Sequence, residues 1–278
     1  MIFKIVGFIL ILILIFWYLK PCNNHKFSIC VYIYNIGNYD KQNSDNLQLP
    51  SDIDGFFYIG ENDVLDPTFE RTLKMYGWKI LKTKIENGTQ FVDGNRLTIK
   101  KLKFIHPHEI KNYDFVVTHD FNRRLDYTKI RKFITNELIF KNKNVFLKSW
   151  NKKSEYGNCE KCIWDEMNSM LNERKHFITT SKPEVLKWKT FLKNELNTGK
   201  FTDKFYFELN LIIFKPSDIN FQKVCDYTYE KCKLIQRDQF IFPYALQKFK
   251  YNNYTFFNEN VLKRKLFFRK QSGHNFRN

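Results

Sequence analysis

Tyr113-Asp114-Phe115-Val116-Val117-Thr118-His119-Asp120-Phe121-Asn122 is the stretch on which the reading of this chain turns. It opens as a β-branched and aromatic run of strand length and stops abruptly in a polar turn, the pattern of a buried strand. Toward the N-terminus, Phe27 to Tyr34 reads as a buried first strand, bounded by Asn35-Ile36-Gly37-Asn38. Phe56 to Ile59 reads as a second, after the acidic turn Ser51-Asp52-Ile53-Asp54-Gly55. Asp66-Pro67 opens a helix with an N-cap and a first-turn proline, and Gly77 closes it. Trp78 to Leu81 is a short strand, and a helix spans about Asn95 to Ile105. Toward the C-terminus the pattern is more helical: Asn158 to Arg174, Lys182 to Leu196 behind a Ser181-x-x-Glu184 capping box, Ser217 to Lys233, and Asp238 to Phe249. Phe205 to Phe214 is the strong strand of that half. Strands alternating with helices predict an α/β fold with a mostly parallel sheet. Ligands of such sheets sit beyond the carboxyl ends of the strands, which draws attention to Asp120-Phe121-Asn122.

The chain has 278 residues and opens with an unbroken apolar run, Ile5 to Leu19, between Lys4 and Lys20. At about 1.5 Å per residue such a helix nearly crosses a thin bilayer. The run ends in Phe16-Trp17-Tyr18, bulky aromatics where a signal peptidase needs small residues, so residues 1–20 are expected to be a retained signal-anchor transmembrane segment. Residues 21–278 then form one domain, since no linker, repeat or low-complexity stretch divides them. The net charge of +17 raises the question of nucleic acid, but it comes from 36 Lys and only 10 Arg spread along the chain. Arginine makes the bidentate phosphate and guanine contacts, so no nucleic-acid partner is expected. Six cysteines, at 22, 30, 159, 162, 225 and 232, form no zinc signature. Asn87-Gly88-Thr89 and Asn253-Tyr254-Thr255 are glycosylation sequons.

Asp120-Phe121-Asn122 has the form D-x-N, two oxygen-bearing side chains on one side of an extended turn, a donor type that suits Mn²⁺ or Mg²⁺ bridging a diphosphate. His119 alternates to the opposite face. Five further motifs are colinear with it. They are Gly37-Asn38-Tyr39-Asp40, Asp52-Ile53-Asp54-Gly55-Phe56-Phe57-Tyr58, Gly77-Trp78-Lys79, Lys103-Phe104-Ile105-His106-Pro107-His108, and Arg237-Asp238-Gln239 before an apolar helix. Together they span roughly residues 28 to 246. In these motifs the chain resembles a family of glycosyltransferases found among plant Golgi proteins that build rhamnogalacturonan and in bacterial and viral surface-polysaccharide loci. It departs from that pattern at Lys100, where the family has an arginine, at Phe121, where the family has a small residue, and in a K-to-H spacing one residue longer.

The resemblance implies a GT-A-like nucleotide-sugar-binding fold and a type II single-pass protein of a Golgi/ER-like or virus-associated membrane. It further implies transfer of a hexosyl or hexuronosyl group from a nucleoside-diphosphate donor to a glycan or glycoprotein acceptor. Within that frame Asp120, Asn122 and His274 are the expected metal ligands. Asp40 and Asp54, with Asp52, would contact the nucleotide, while Lys100 and Lys103, three apart on one helical face, would neutralise the diphosphate. Asp238 and Glu166 are the candidate catalytic carboxylates. The competing expectation is a catalytically inactive glycan-binding or assembly protein with the same fold.

Overall fold

The structure, a computed structural model, describes residues 27–149, 163–172, 182–202, 206–266 and 269–270. The apolar run of residues 5–19, Cys22, Cys159, Cys162 and His274 lie outside the described residues. No helix among the described residues is long and apolar enough to cross a membrane.

The elements run β1 (Ile29–Tyr34), β2 (Asp54–Gly60), α1 (Pro67–Met75), β3 (Trp78–Thr83), α2 (Gly94–Phe104), β4 (Phe115–His119), β5 (Arg123–Arg124), α3 (Ile130–Ile134) and β6 (Val145–Ser149). They continue as α4 (Ile163–Asn172), α5 (Lys182–Asn197), β7 (Phe207–Phe214), α6 (Ile219–Cys232), α7 (Phe242–Lys248), β8 (Tyr254–Phe257), α8 (Glu259–Lys265) and β9 (Arg269–Lys270). Seven strands form one sheet in the order β3-β2-β1-β4-β7-β6-β8, while β5 and β9 form a two-stranded ribbon. Parallel pairing joins β1 to β2 and β4, β2 to β3, and β6 to β8; among the described strands of this sheet β7 runs antiparallel to its neighbours β4 and β6, and β5 pairs antiparallel with β9. The expected α/β fold with a mostly parallel sheet is therefore present.

Helices cover both faces, and side-chain alternation along β1 shows why its sequence is apolar throughout. Cys30, Tyr32 and Tyr34 pack into a core built with residues of α2, α4, α5, α6 and α7. Ile29, Val31 and Ile33 pack into a second core with residues of α1, α3 and α8. Fully burying a side chain the size of Phe57 contributes about 1.5–3 kcal/mol.

Three of the sequence motifs prove to be fold chemistry. Gly37 and Asn38 both have positive φ, 68° and 51°, and a Cβ at Gly37 would stand 2.5 Å from the Asn95 side chain, so the turn after β1 needs glycine there. Gly77 turns the chain into β3 at φ 89°, and the Trp78 indole N–H donates to the Leu47 carbonyl at 2.7 Å. His106 stacks on Phe214 at 4.2 Å, and burial pushes its imidazole down to about 3, so it is a neutral core histidine.

Four of the described strands went unread in the sequence, β6 and β8 of the large sheet and the two-residue β5 and β9. β6 is five residues with a lysine in it and β8 only four, too short for a periodic signal.

Candidate functional site

The first cluster of chemistry lies at the carboxyl ends of β1 and β4. β4 delivers Asp120 into the turn just past its last residue. There the Asp120 N–H donates to the Asn210 carbonyl at 3.1 Å, and the Arg123 N–H donates back to the Asp120 carbonyl at 2.8 Å. The Tyr34 hydroxyl, at the end of β1, donates to Asp120 Oδ1 at 3.1 Å.

The helix α2 brings the cations. Its N-cap Asp93 accepts from the Arg96 N–H, its face buries Leu97, Leu102 and Phe104, and the Tyr32 hydroxyl donates to the Leu102 carbonyl at 2.9 Å, which fixes the last turn over β1. Lys100 and Lys103, one turn apart, then reach the same point. Lys103 Nζ stands 3.3 Å from Asp120 Oδ1 and 3.6 Å from Asp238 Oδ2; Lys100 Nζ stands 2.9 Å from Asp238 Oδ1.

Asp238 arrives from the far end of the chain. The loop after α6 is tied to α2 by Arg96 Nη1 donating to Gln236 Oε1 at 2.5 Å, and to the loop before α2 by the Thr89 hydroxyl donating to the Lys233 carbonyl at 2.8 Å. Asp238 opens a single 3₁₀ turn, yet its side chain caps no helix. It spends its charge on the two lysines instead, and its buried Oδ2 accepts no hydrogen bond from the described residues. Next to it Arg237 Nε lies 3.5 Å from Glu166 Oε1 on α4, and Tyr206, whose hydroxyl bonds Glu166, lies within the field of Asp238 and Glu208.

A second buried group adjoins the first. Glu208 on β7 pairs with Lys148 on β6, lies 3.7 Å from Arg123 and accepts from Asn210 Nδ2 at 3.2 Å. None of Tyr34, Lys148, Tyr206 or Glu208 was singled out in the sequence. A signal was present: Glu208 and Lys148 are charges inside apolar strand runs, and charges are almost never fully buried unless paired.

The expected site residues thus fall into three sets. Lys100, Lys103, Asp120 and Asp238 form one connected cluster, with Asn122 two residues beyond Asp120 and Glu166 adjoining through Arg237. Asp40 is buried at the carboxyl end of β1, where its N–H and C=O exchange hydrogen bonds with the Asn35 side chain at 3.0 Å. Asp54 is a correction, and Asp52 with it. The ladder of β2 begins at Asp54, which pairs with Cys30, four residues before Tyr34 on β1. At about 3.3 Å per residue that is roughly 13 Å back along parallel strands, at their amino ends. There Asp54 accepts from the Tyr113 hydroxyl at 2.8 Å and faces Lys79 at 3.5 Å, while Asp52 pairs with Arg131 at 2.6 Å. The acidic turn precedes its strand rather than following it. His119, as alternation predicts, turns away from the Asp120 carboxylate, with Nδ1 3.0 Å from the Asp120 carbonyl and Nε2 2.9 Å from the Tyr127 hydroxyl. Phe121 enters the same second core, edge-on to Phe57 and Phe69, so its bulk does not crowd the Asp120 side of the turn.

Electrostatics follow from this packing. Burial pushes the Asp238 carboxyl up, but Lys100 and Lys103 outweigh it and hold it below its usual range. Asp120 is likewise pushed up by burial and held low, net, by Lys103 and Lys100. Lys103 is pushed down by burial but held above its usual range by Asp120 and Asp238. A carboxylate with a depressed folded pKa contributes stability that is complete above its unfolded value, about 4, and drains away as pH falls toward the folded value. Lys103 contributes stability that is complete below its unfolded value, about 10.4, and is lost only as pH rises through the raised one. We therefore expect urea midpoints to be flat from pH 5 to 8 and to fall below about pH 4. Asp238→Asn should flatten the acid limb, and an unchanged limb would show that Asp238 is not ionised in the folded chain.

For a divalent cation the test is the donor set. Both contacts that the described residues make to the Asp120 carboxylate fall on Oδ1, and the side chain keeps 35 % exposure. Asn122 offers a second hard oxygen two residues on. Among the described residues no group of three His, Cys, Asp or Glu could hold a metal. Two protein oxygens suit an ion such as Mg²⁺ that keeps waters and substrate phosphates as its other ligands. The hollow of about 470 Å³ lined by Lys41, Gln42, Asn43 and the start of α1 lies on the α1 side of the sheet and is separate from this cluster.

No protein-family model matches the chain, and no curated protein matches it. Solved structures that overlay on it include three glycosyltransferases. The apo form of WbbM, a bifunctional glycosyltransferase, has a TM-score of 0.47 at 12 % identity, covering 85 % of this chain and 39 % of that one. GlyE of Streptococcus pneumoniae TIGR4 has a TM-score of 0.40 at 12 % identity, covering 83 % of this chain and 45 % of that one. Mouse xyloside xylosyltransferase 1, also in its apo form, has a TM-score of 0.46 at 7 % identity, covering 83 % and 85 %. The chain spans less than half the length of the first two. None of the three is tied by name to rhamnogalacturonan.

Proposed function

We propose that this chain is a glycosyltransferase that moves a hexosyl or hexuronosyl group from a nucleoside-diphosphate donor to a glycan or glycoprotein acceptor. The observation that carries the reading is the ion-paired Lys100-Asp238-Lys103-Asp120 chain, with Lys103 and Asp238 buried, at the carboxyl ends of parallel strands. Two lysines held there by carboxylates are the cations that a departing diphosphate needs, kept desolvated and in place before it forms. Lys100 and Lys103 take the diphosphate as point charges, Asp40 lies at the β1 end where a ribose would be held, and Asp238 faces the acceptor hydroxyl. Glu166 acts as a positioning residue, through Arg237 and Tyr206.

Asp120 and Asn122 would hold Mn²⁺ or Mg²⁺, with His274 as a third ligand. When bound, the metal supplies Lewis-acid compensation for the charge that grows on the leaving phosphate. Residues 1–20 would tether the domain as a type II protein of a Golgi/ER-like or virus-associated membrane, with the rhamnogalacturonan and surface-polysaccharide enzymes as the family to which this reading points.

The test is a thermal-shift screen with nucleotides and nucleotide sugars, with and without Mn²⁺. A ligand that binds only the folded state raises the melting temperature by mass action. A cognate nucleoside diphosphate should give a shift that grows with Mn²⁺. Asp120→Ala should abolish the metal-dependent part, and Asn122→Ala should weaken it less, because a neutral amide is the poorer ligand. Binding indifferent to chelator and to Asp120→Ala would remove the metal, and no nucleotide shift at all would favour a glycan-binding or assembly protein.

A further inference from the structure

One row of paired residues crosses the large sheet from edge to edge, from Trp78 on β3 through Val31 and Val117 to Phe146 and Thr255 on β8. Below it, at the amino ends of the parallel strands and the carboxyl end of β7, lies the end of the sheet opposite the Asp120 cluster. Three of the four most exposed large apolar side chains among the described residues stand there: Met75 before β3, Phe140 before β6 and Ile219 after β7, at 76, 60 and 69 % exposure. The fourth, Val64, follows β2 and lies at the other end.

The charge at this end is uneven. Lys111 precedes β4, Lys143 precedes β6, Lys215 follows β7 and Lys250 precedes β8, and among the described residues no acid stands within ion-pair distance of any of them. The acids nearby are engaged. Asp52 pairs with Arg131 at 2.6 Å, Asp54 takes Lys79 and the Tyr113 hydroxyl, and Asp114 accepts from the Ser28 N–H at 2.7 Å. Glu109 accepts from the Tyr58 hydroxyl, Asp218 caps α6, and the buried Glu137 pairs with Lys141 and Lys265.

The chain also enters the fold here. Arg131 donates to the Phe27 carbonyl at 2.8 Å and covers the Phe27 ring at 4.8 Å, while that ring packs edge-on to Phe115 at 5.5 Å. From Leu19, the last residue of the apolar run, the chain can reach at most about 28 Å to Phe27.

We propose that the amino end of the sheet is a membrane-docking face, which rests on an anionic bilayer with Met75, Phe140 and Ile219 at the acyl boundary and the lysines among the headgroups. This rests on the tether in the reading above and not on the donor. A bilayer fits because the apolar side chains are separate rather than gathered in a groove, spread over seven strands, roughly 29 Å at about 4.8 Å per step. Apolar side chains among lysines are the composition of an interfacial surface, and the short tether holds the face within reach of one whose lipids attract cations. The Asp120 cluster, about 17 Å away along β1, then points away from the membrane, so the acceptor glycan approaches from the water.

The full chain is reconstituted into phosphatidylcholine vesicles with and without phosphatidylserine, carrying Phe140→benzoylphenylalanine, Ile219→benzoylphenylalanine or, as control, Val64→benzoylphenylalanine. All three positions are exposed, so the core is untouched and the melting temperatures should match. On irradiation the first two should form lipid adducts, more so with phosphatidylserine, and the control should not. Lys111→Gln with Lys250→Gln should lower the adduct yield on phosphatidylserine vesicles by about fivefold or more, the loss expected for two lysines at an anionic surface. Extraction with alkaline carbonate tests the tether separately. A chain that resists extraction but gives no adduct at 140 or 219, gives as much at 64, or is indifferent to phosphatidylserine and to the lysine pair overturns the docking face and leaves the tether standing. Crosslinks to a second copy of the chain in place of lipid overturn it as well. A chain that carbonate releases removes the tether, and adducts at 140 and 219 would then still support the face.

Discussion

Lys103→Met should cost about 3–5 kcal/mol of stability and remove measurable binding of the donor diphosphate. The ammonium is 7 % exposed and stands between two acids, 3.3 Å from Asp120 and 3.6 Å from Asp238. Methionine keeps the length and the packing against α2 but leaves buried carboxylate charge with one cation fewer, and removing one partner of a buried pair costs that much because the other is left uncompensated. For a domain of this size the loss corresponds to roughly 10 °C in melting temperature. Lys100→Met should cost less, since Asp238 then keeps Lys103 and the site is more open, at 14 % exposure. Thermal melts of the two variants beside Lys103→Arg make the comparison. Equal, small losses in all three would mean that the cluster is solvated and that its charges are not the store of binding energy described here.

Much of this cluster was legible in the sequence because helix and strand periodicity are strict rules. Lys100 and Lys103 had to share a face once α2 was placed, and Asp120 had to leave the sheet at a carboxyl end once β4 was placed. Asp54 failed for a small reason with a large consequence. The resemblance gave Asp52 and Asp54 a nucleotide role although the acidic turn precedes the strand read from Phe56, and the ladder, which starts at Asp54, leaves both acids at the amino ends.

Other residues were hidden by the company they keep. Tyr34 ends an apolar strand and reads as core, yet its hydroxyl holds Asp120. Lys148 and Glu208 come from β6 and β7, neighbours that are far apart in sequence, and they meet where the ladder between those strands shifts register, so no sequence pattern shows that they pair. Motifs can also mislead in the opposite direction. Gly77-Trp78-Lys79 looks like a signature, and its residues turn the chain, pack an indole and hold Asp54 at the amino ends of the strands.

Asp238→Asn should lower turnover by at least about a hundredfold, the loss expected for a positioned acid, base or substrate carboxylate. The same change should cost stability as well, because Lys100 and Lys103 would then share the single charge of Asp120. The two effects separate by pH. In the free chain the lysines outweigh burial and hold the Asp238 carboxyl low, which makes it a weak proton acceptor at neutral pH. A diphosphate offers the same lysines a competing anion, and as they turn to it the carboxyl loses the cations that depress it while keeping its burial, so its pKa rises toward the range of a general base. The acid limb of kcat, which reports the loaded enzyme, should therefore lie at higher pH than that of kcat/KM, which reports the free one. Both limbs should vanish in Asp238→Asn. A variant that melts lower but turns over normally, or that keeps both limbs, would assign Asp238 to holding α2 in place and leave the acceptor's base to be sought at Glu166 or Glu208.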